Sequence, residues 1–124
     1  MGSMHGKTIA ITGATSGIGE VAAIRLAEMG AHVVFTARDR VRAQATMEKL
    51  RVANPNADHA AILADLSRLA EMKRVGADLA ALPRLDVLIN NAGALFNRRL
   101  ETPDGLEKTF ALNHMAYFGV TNLV

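Results

Sequence analysis

The 124-residue sequence contains no cysteine. Disulfide frameworks and cysteine-ligated zinc sites are therefore excluded, and the composition fits an intracellular, reducing compartment, with cytoplasmic localisation as the expectation. Aromatic residues make up only 4% of the chain, too few for a platform on which bases stack. Charge is nearly balanced, 14 Lys and Arg against 12 Asp and Glu for a formal +2. No dense basic stripe appears, so nucleic acid is not an expected partner. No apolar run approaches the ~20 residues needed to span a bilayer, so no membrane span is expected. His5, His32, His59 and His114 do not stand at metal-ligand spacing, and no metal site is expected.

What the chain has in abundance is aliphatic: half of it is hydrophobic, mostly Ala, Val, Ile and Leu. That suits short parallel strands buried under Ala-rich helices, and the length suffices for one compact domain. Apolar runs at 7–12, 32–36, 60–64 and 86–90 read as strands. Helical patterns lie between them. Ala22, Leu26 and Met29 share a face ended by Gly30. Ala43, Met47 and Leu50 share the next, which stops before Asn54-Pro55. Leu69, Met72, Leu79 and Leu82 form a third, closed by Pro83. The βαβαβαβ order with short links predicts right-handed crossovers and a parallel α/β sheet of strand order 3-2-1-4.

A fourth helix is expected to start at Thr102 as N-cap, with Pro103 at the first helical position and Asp104 in the first turn. Leu106, Phe110, Tyr117, Val120 and Val124 make one apolar face; Leu112, Met115, Ala116, Gly119 and Leu123 make another. A helix apolar on most sides is buried on most sides, so a homo-oligomer through this helix, or further chain, is expected to cover it. Asn122-Leu123-Val124 carries no stop signal. Residues 4–124 thus read as the N-terminal part of a longer single-domain protein, and Met1-Gly2-Ser3 before Met4 as a cloning remnant.

The first strand runs into Thr12-Gly13-Ala14-Thr15-Ser16-Gly17-Ile18-Gly19 and then a helix. Glycines at such a junction allow a tight turn and close approach to a phosphate, and the helix start offers free N–H groups and positive dipole charge. The candidate anion cradle is Gly13, Thr15, Ser16, Gly17, Ile18 and Gly19; its bland alternative is a glycine-rich connection. The spacing differs from the G-x-G-x-x-G of the commonest dinucleotide fold.

Thr-Gly-x-x-x-Gly-x-Gly resembles the motif of the short-chain dehydrogenase/reductase family. Three further strings match that family in order: Asp65-Leu66 after the third strand, Asn90-Asn91-Ala92-Gly93 after the fourth, and Asn113-His114 in the fourth helix. Arg38-Asp39, the run Thr102 to Glu107 and Asn113-His114-Met115 resemble its retinol-dehydrogenase-like and WW-domain-oxidoreductase-like branch. The resemblance implies a Rossmann-type doubly wound sheet, of which this chain holds the first half, stopping before the later strands. It implies an oxidoreductase that transfers a hydride between a nicotinamide cofactor and a small alcohol or carbonyl substrate. Asp65 and Leu66 would then meet the adenine, and Asn91, Ala92 and Gly93 the nicotinamide-side ribose. Asp65 could instead be a turn or N-cap residue, and Asn90 could tie neighbouring strand ends. Asn113 matches the family's active-site Asn, which positions a water and the active-site Lys; otherwise it is a polar residue tolerated in a helix.

Ala37 falls where family members that use NAD carry an acid for the adenosine 2′-hydroxyl, and Arg38 follows. A guanidinium can hold a 2′-phosphate through charge-assisted bonds, so NADP is expected in preference to NAD. The alternative makes Arg38 a solvated charge or a partner of Asp39. The family's proton donor, a Tyr with a Lys four positions later and a Ser upstream, has no counterpart. Tyr117 is the one tyrosine, Thr121 stands four later, and the serines are Ser3, Ser16 and Ser67. Tyr117 and His114 read as packing or interface residues, and Arg98-Arg99 as a solvated loop face. Two other readings stand beside the oxidoreductase: a non-catalytic nucleotide-binding module or sensor, and a fragment that associates through its fourth helix.

Overall fold

The computed structural model describes residues 3–124, so Met1 and Gly2 of the expected cloning remnant lie outside the described residues. The chain divides into two compact units. The first comprises residues up to Leu63 together with Pro83–Asn91. It contains β1 (Thr8–Ile11), α1 (Gly17–Glu28), β2 (His32–Ala37), α2 (Arg40–Ala53), β3 (Ala60–Leu63) and β4 (Val87–Ile89). The strands form one parallel sheet in the order β3-β2-β1-β4, as the alternation of elements predicts. β1 is central: Ile11 lies opposite Phe35 on one side and Ile89 on the other.

Ile9, Ile11, Val33 and Phe35 join Ala23 and Ala27 of α1 and Ala43 and Leu50 of α2 in one core cluster. The alternate residues Ala10, Val34 and Thr36 are buried too, which is why the central strands read as continuous rather than alternating apolar runs. The edge strands differ: Ala60 and Ala61 of β3 and Val87 of β4 are exposed. The face of α1 is a correction to the sequence reading. Its buried line is Gly19, Ala23 and Ala27, while Ala22, Leu26 and Met29 flank it half-buried. Hydropathy favours the large residues, but close approach of a helix to a sheet favours the small ones. The α2 face is as expected, with Ala43 and Leu50 buried and Met47 beside them.

The second unit comprises Ala64–Leu82 and Ala92–Val124. It contains α3 (Leu69–Ala80), α4 (Lys108–Phe110), a π-helical segment (Ala111–Met115) and α5 (Ala116–Leu123). Small residues bring α3 and α5 together: a Cβ at Gly76 would lie 2.6 Å from Leu123 Cβ, and one at Gly119 3.4 Å from Met72 Sδ. The fourth helix begins later than expected. Residues 102–106 form a turn in which the Thr102 hydroxyl accepts from Leu106 N–H at 3.3 Å and Gly105 adopts φ +80°. Glu107 is the N-cap, its carboxylate accepting from Thr109 and Phe110 N–H at 3.1 and 2.9 Å. Those bonds from Phe110 and then Thr109 hold its carboxyl below the usual range. Asp104, expected in the first turn of that helix, instead accepts from Leu69 N–H at 2.8 Å and caps α3. The residue in the N-cap position of α3 is Arg68, which provides no side-chain cap.

Candidate functional site

In the first unit the ends of three strands are tied at the glycine turn. Thr12 is buried. Its N–H donates to Ile89 O at 3.0 Å, and its hydroxyl accepts from Asn91 N–H at 2.9 Å. The Asn91 side-chain amide donates to Gly13 O at 2.7 Å, and Gly13 N–H donates to the Thr36 hydroxyl at 3.0 Å. β1, β2 and β4 thus meet at Gly13, which adopts φ +70°, a conformation open to glycine without strain. Gly19 serves this knot. A Cβ there would strike the Asn91 amide and lie 2.5 Å from Gly13 O. Its lack of a side chain is therefore explained by packing, where sequence spacing points to ligand approach. Asn91, expected at a ribose, is also a strand tie.

Ser16, Gly17 and Ile18 are exposed, Ile18 at 84%. Ser16 stands in the N-cap position of α1 yet makes no side-chain cap. The starts of α2, α3 and α4 each receive a carboxylate, from Asp39, Asp104 and Glu107. The start of α1 thus carries no side-chain cap, the arrangement that suits an anion. Thr15 is half-buried beside it in sequence.

At the end of β2, Ala37 is buried and Arg38 exposed. Asp39 Oδ1 accepts from Val41 and Arg42 N–H at 2.8 and 3.1 Å. Asp39 is thus committed as the cap of α2, and among the described residues no ion pair joins it to Arg38.

In the second unit Asp65 closes a turn: its Oδ1 accepts from Ser67 N–H at 3.0 Å and Ser67 Oγ at 2.7 Å. This is the turn role that stood as its alternative. The Leu66 side chain is buried, 3% exposed, so its backbone is what it can offer a ligand. Gly93 is exposed and Ala92 half-buried. Asn113 sits in the π-helical segment, where Ala116 N–H bonds Ala111 O rather than the carbonyl four residues back. Both ends of its side-chain amide bond Ala94: Oδ1 accepts from Ala94 N–H at 3.0 Å and Nδ2 donates to Ala94 O at 2.7 Å. Asn113 therefore fixes the loop that follows Gly93. Tyr117 is half-buried, and His114 stacks on Phe110 with ring centroids 5.1 Å apart. Arg99 pairs with Glu101 at 3.2 Å on an exposed loop face. Among the described residues no group of His, Asp and Glu is placed to hold a metal, and no helix is long and apolar enough to cross a membrane.

Sequence reasoning missed the Thr12 and Thr36 hydroxyls, whose only signal is a Thr at the end of a strand. It also missed the π-helical segment, which has no signature in the local pattern.

The family model for short chain dehydrogenase matches residues 7–124. The chain is 40% identical to retinol dehydrogenase 14 of Mus musculus, over 99% of this chain and 40% of that protein. Among solved structures it resembles a short-chain dehydrogenase from Sphingobium yanoikuyae in complex with NADPH, with a TM-score of 0.83 and 37% identity, over 95% of this chain and 46% of that one. It also resembles an NADH-dependent reductase complexed with NAD, with a TM-score of 0.77 and 35% identity, over 97% of this chain and 51% of that one. The chain thus spans about two fifths to half the length of these relatives. The parallel order 3-2-1-4, the glycine turn with its uncapped helix and the match across residues 7–124 agree: the chain belongs to the short-chain dehydrogenase/reductase family.

Proposed function

We propose that this chain is the cofactor-binding part of an NADP-dependent oxidoreductase that interconverts an alcohol and a carbonyl. The observation that carries the reading is the uncapped start of α1, exposed at Ser16, Gly17 and Ile18, on a turn bonded to β2 two residues before Arg38, which is exposed and makes no ion pair among the described residues. In this reading the amides of Gly17 and Ile18, with the Thr15 and Ser16 hydroxyls, hold the pyrophosphate. Arg38 holds the adenosine 2′-phosphate. Asp65 and Leu66 meet the adenine, and Asn91, Ala92 and Gly93 border the nicotinamide-side ribose. Asn113 keeps the loop after Gly93 in place through Ala94. The bound nicotinamide supplies the hydride chemistry. The names of the relatives, a retinol dehydrogenase and an NADPH-bound dehydrogenase, support an alcohol or carbonyl substrate. A cytoplasmic homo-oligomer associating through the π-helical segment and α5 belongs to the same proposal.

Fluorescence or calorimetric titration tests the cofactor. NADPH is expected to bind about tenfold or more tightly than NADH. Arg38→Asp should erase or reverse that preference, because a carboxylate repels the 2′-phosphate and accepts from a 2′-hydroxyl. Equal affinities in the unaltered chain would remove the NADP assignment.

A further inference from the structure

Helix α2 starts with charge of the wrong sign. Arg40 and Arg42 stand in its first turn, which holds no acidic residue, and Arg38 directly precedes its cap. Cations at a helix N-terminus oppose the partial positive charge there. Asp39 is the one carboxylate between Arg38 and Met47, and its Oδ1 is taken up by the Val41 and Arg42 amides. All three arginines are exposed, and among the described residues none forms an ion pair. A local rule broken without compensation inside the element points to function. Position separates the three. α1 and α2 each return from one strand of the parallel sheet to the start of the next, so they run in the same direction and begin at the same edge of the sheet. Glu20 of α1 sets their register: its carboxylate accepts from the Thr46 hydroxyl and the Lys49 ammonium of α2, each at 3.1 Å. Arg42 lies four residues before Thr46 and seven before Lys49, on the same face of α2. Ser16 lies four residues before Glu20. One turn back on both helices, Arg42 therefore stands level with the uncapped start of α1. The glycine turn bonds the end of β2 there, Gly13 N–H donating to the Thr36 hydroxyl at 3.0 Å, two residues before Arg38. Arg40 lies on the far side of α2.

We propose that Arg42 is a second specificity residue for the cofactor, closing with Arg38 on the adenosine 2′-phosphate at the edge shared by α1 and α2. The inference rests on the cofactor reading above and extends it. A phosphate monoester carries about −1.5 to −2 charge at neutral pH, more than one guanidinium balances. The Asp39 carboxylate beside Arg38 adds a repulsion of its own. A second guanidinium offsets both, and its forked donors match phosphate oxygens. Arg40, on the far side of the helix, takes no part.

The affinities of three single variants for NADPH and NADH test this, with thermal melts to confirm that each variant folds. Arg42→Gln is expected to weaken NADPH binding about tenfold, the loss of one hydrogen bond to a charged group, and to leave NADH binding unchanged, since NADH carries no 2′-phosphate. Arg42→Lys, which keeps the charge but not the fork, should fall between Arg42→Gln and the unaltered chain. Arg40→Gln removes the same charge from the far side of α2 and should bind both cofactors as the unaltered chain does. An unchanged NADPH affinity in Arg42→Gln overturns the proposal. So does an equal loss for NADPH and NADH, or a loss in Arg40→Gln as large as that in Arg42→Gln, since either would mean a general attraction of anions to this end of α2. An unaltered chain that binds NADPH no more tightly than NADH fails the NADP reading instead, and this inference with it.

Discussion

His59 and His32 act at the start of the β2–β3 pairing. Val33 N–H donates to His59 Nδ1 at 3.1 Å, and His59 Nε2 lies 3.1 Å from Asn54 O. One ring nitrogen accepts while the other donates, so the ring is neutral. His32 Nδ1 in turn accepts from Asp58 N–H at 2.8 Å. Each strand start thus receives a side chain from the other. Burial pulls the His59 pKa below its usual 6.5; the carbonyl of Asn54 opposes this, and the nearby His32 and Arg51 add to it. Because the folded chain resists protonation more than the unfolded chain, stability is complete above the unfolded pKa and falls as pH drops from 6.5 toward the folded value. Urea unfolding should therefore show the unaltered chain losing stability between about pH 7 and pH 5. The gap between it and His59→Ala should narrow over that range; a constant gap would contradict this account. None of it was legible in the sequence, because the partners of His59 lie 5 and 26 positions away. Arg38 shows the opposite case. Its candidacy comes from position alone, and the structure adds the commitment of Asp39 to α2.

At the scale of elements, the start of a helix was easier to misplace than its existence. Thr102-Pro103-Asp104 has the residue types of an N-terminus, yet α4 begins at Lys108. The turn at 102–106 satisfies its own groups, and Asp104 reaches α3, 35 residues away in sequence. Local pattern cannot reveal a cap donated from another element. Asp104→Ala should cost about 1 kcal/mol, the usual loss of an N-cap, while Asp104→Asn, which keeps an acceptor, should cost much less. Hydrogen exchange at the Leu69 amide reads the effect directly: faster exchange in Asp104→Ala is expected, and unaltered exchange would show that the cap contributes nothing. The π-helical segment follows the same logic. Its wider turn carries Asn113, both of whose side-chain amide groups bond Ala94.

Across the whole molecule, β4 stands at the edge of the sheet with three residues, and Val87 is 39% exposed. A strand at the edge of a sheet presents unpaired N–H and C=O groups, a template for pairing with another chain. Sedimentation of the 124-residue chain should show a concentration-dependent mass above that of the monomer; a single monomeric species at all concentrations would count against this. The sequence by itself determined the element order, the parallel sheet of order 3-2-1-4 and the family, because buried strands, amphipathic helices and glycine spacing are local patterns that the chain carries residue by residue. Only the tertiary structure decided that Gly19 and Asn91 knot strand ends, that Asn113 holds a loop, that Asp104 caps a distant helix and that Glu20 faces α2. Each of those roles depends on a partner 19 to 79 positions away, and no pattern within a single element records what will lie opposite it.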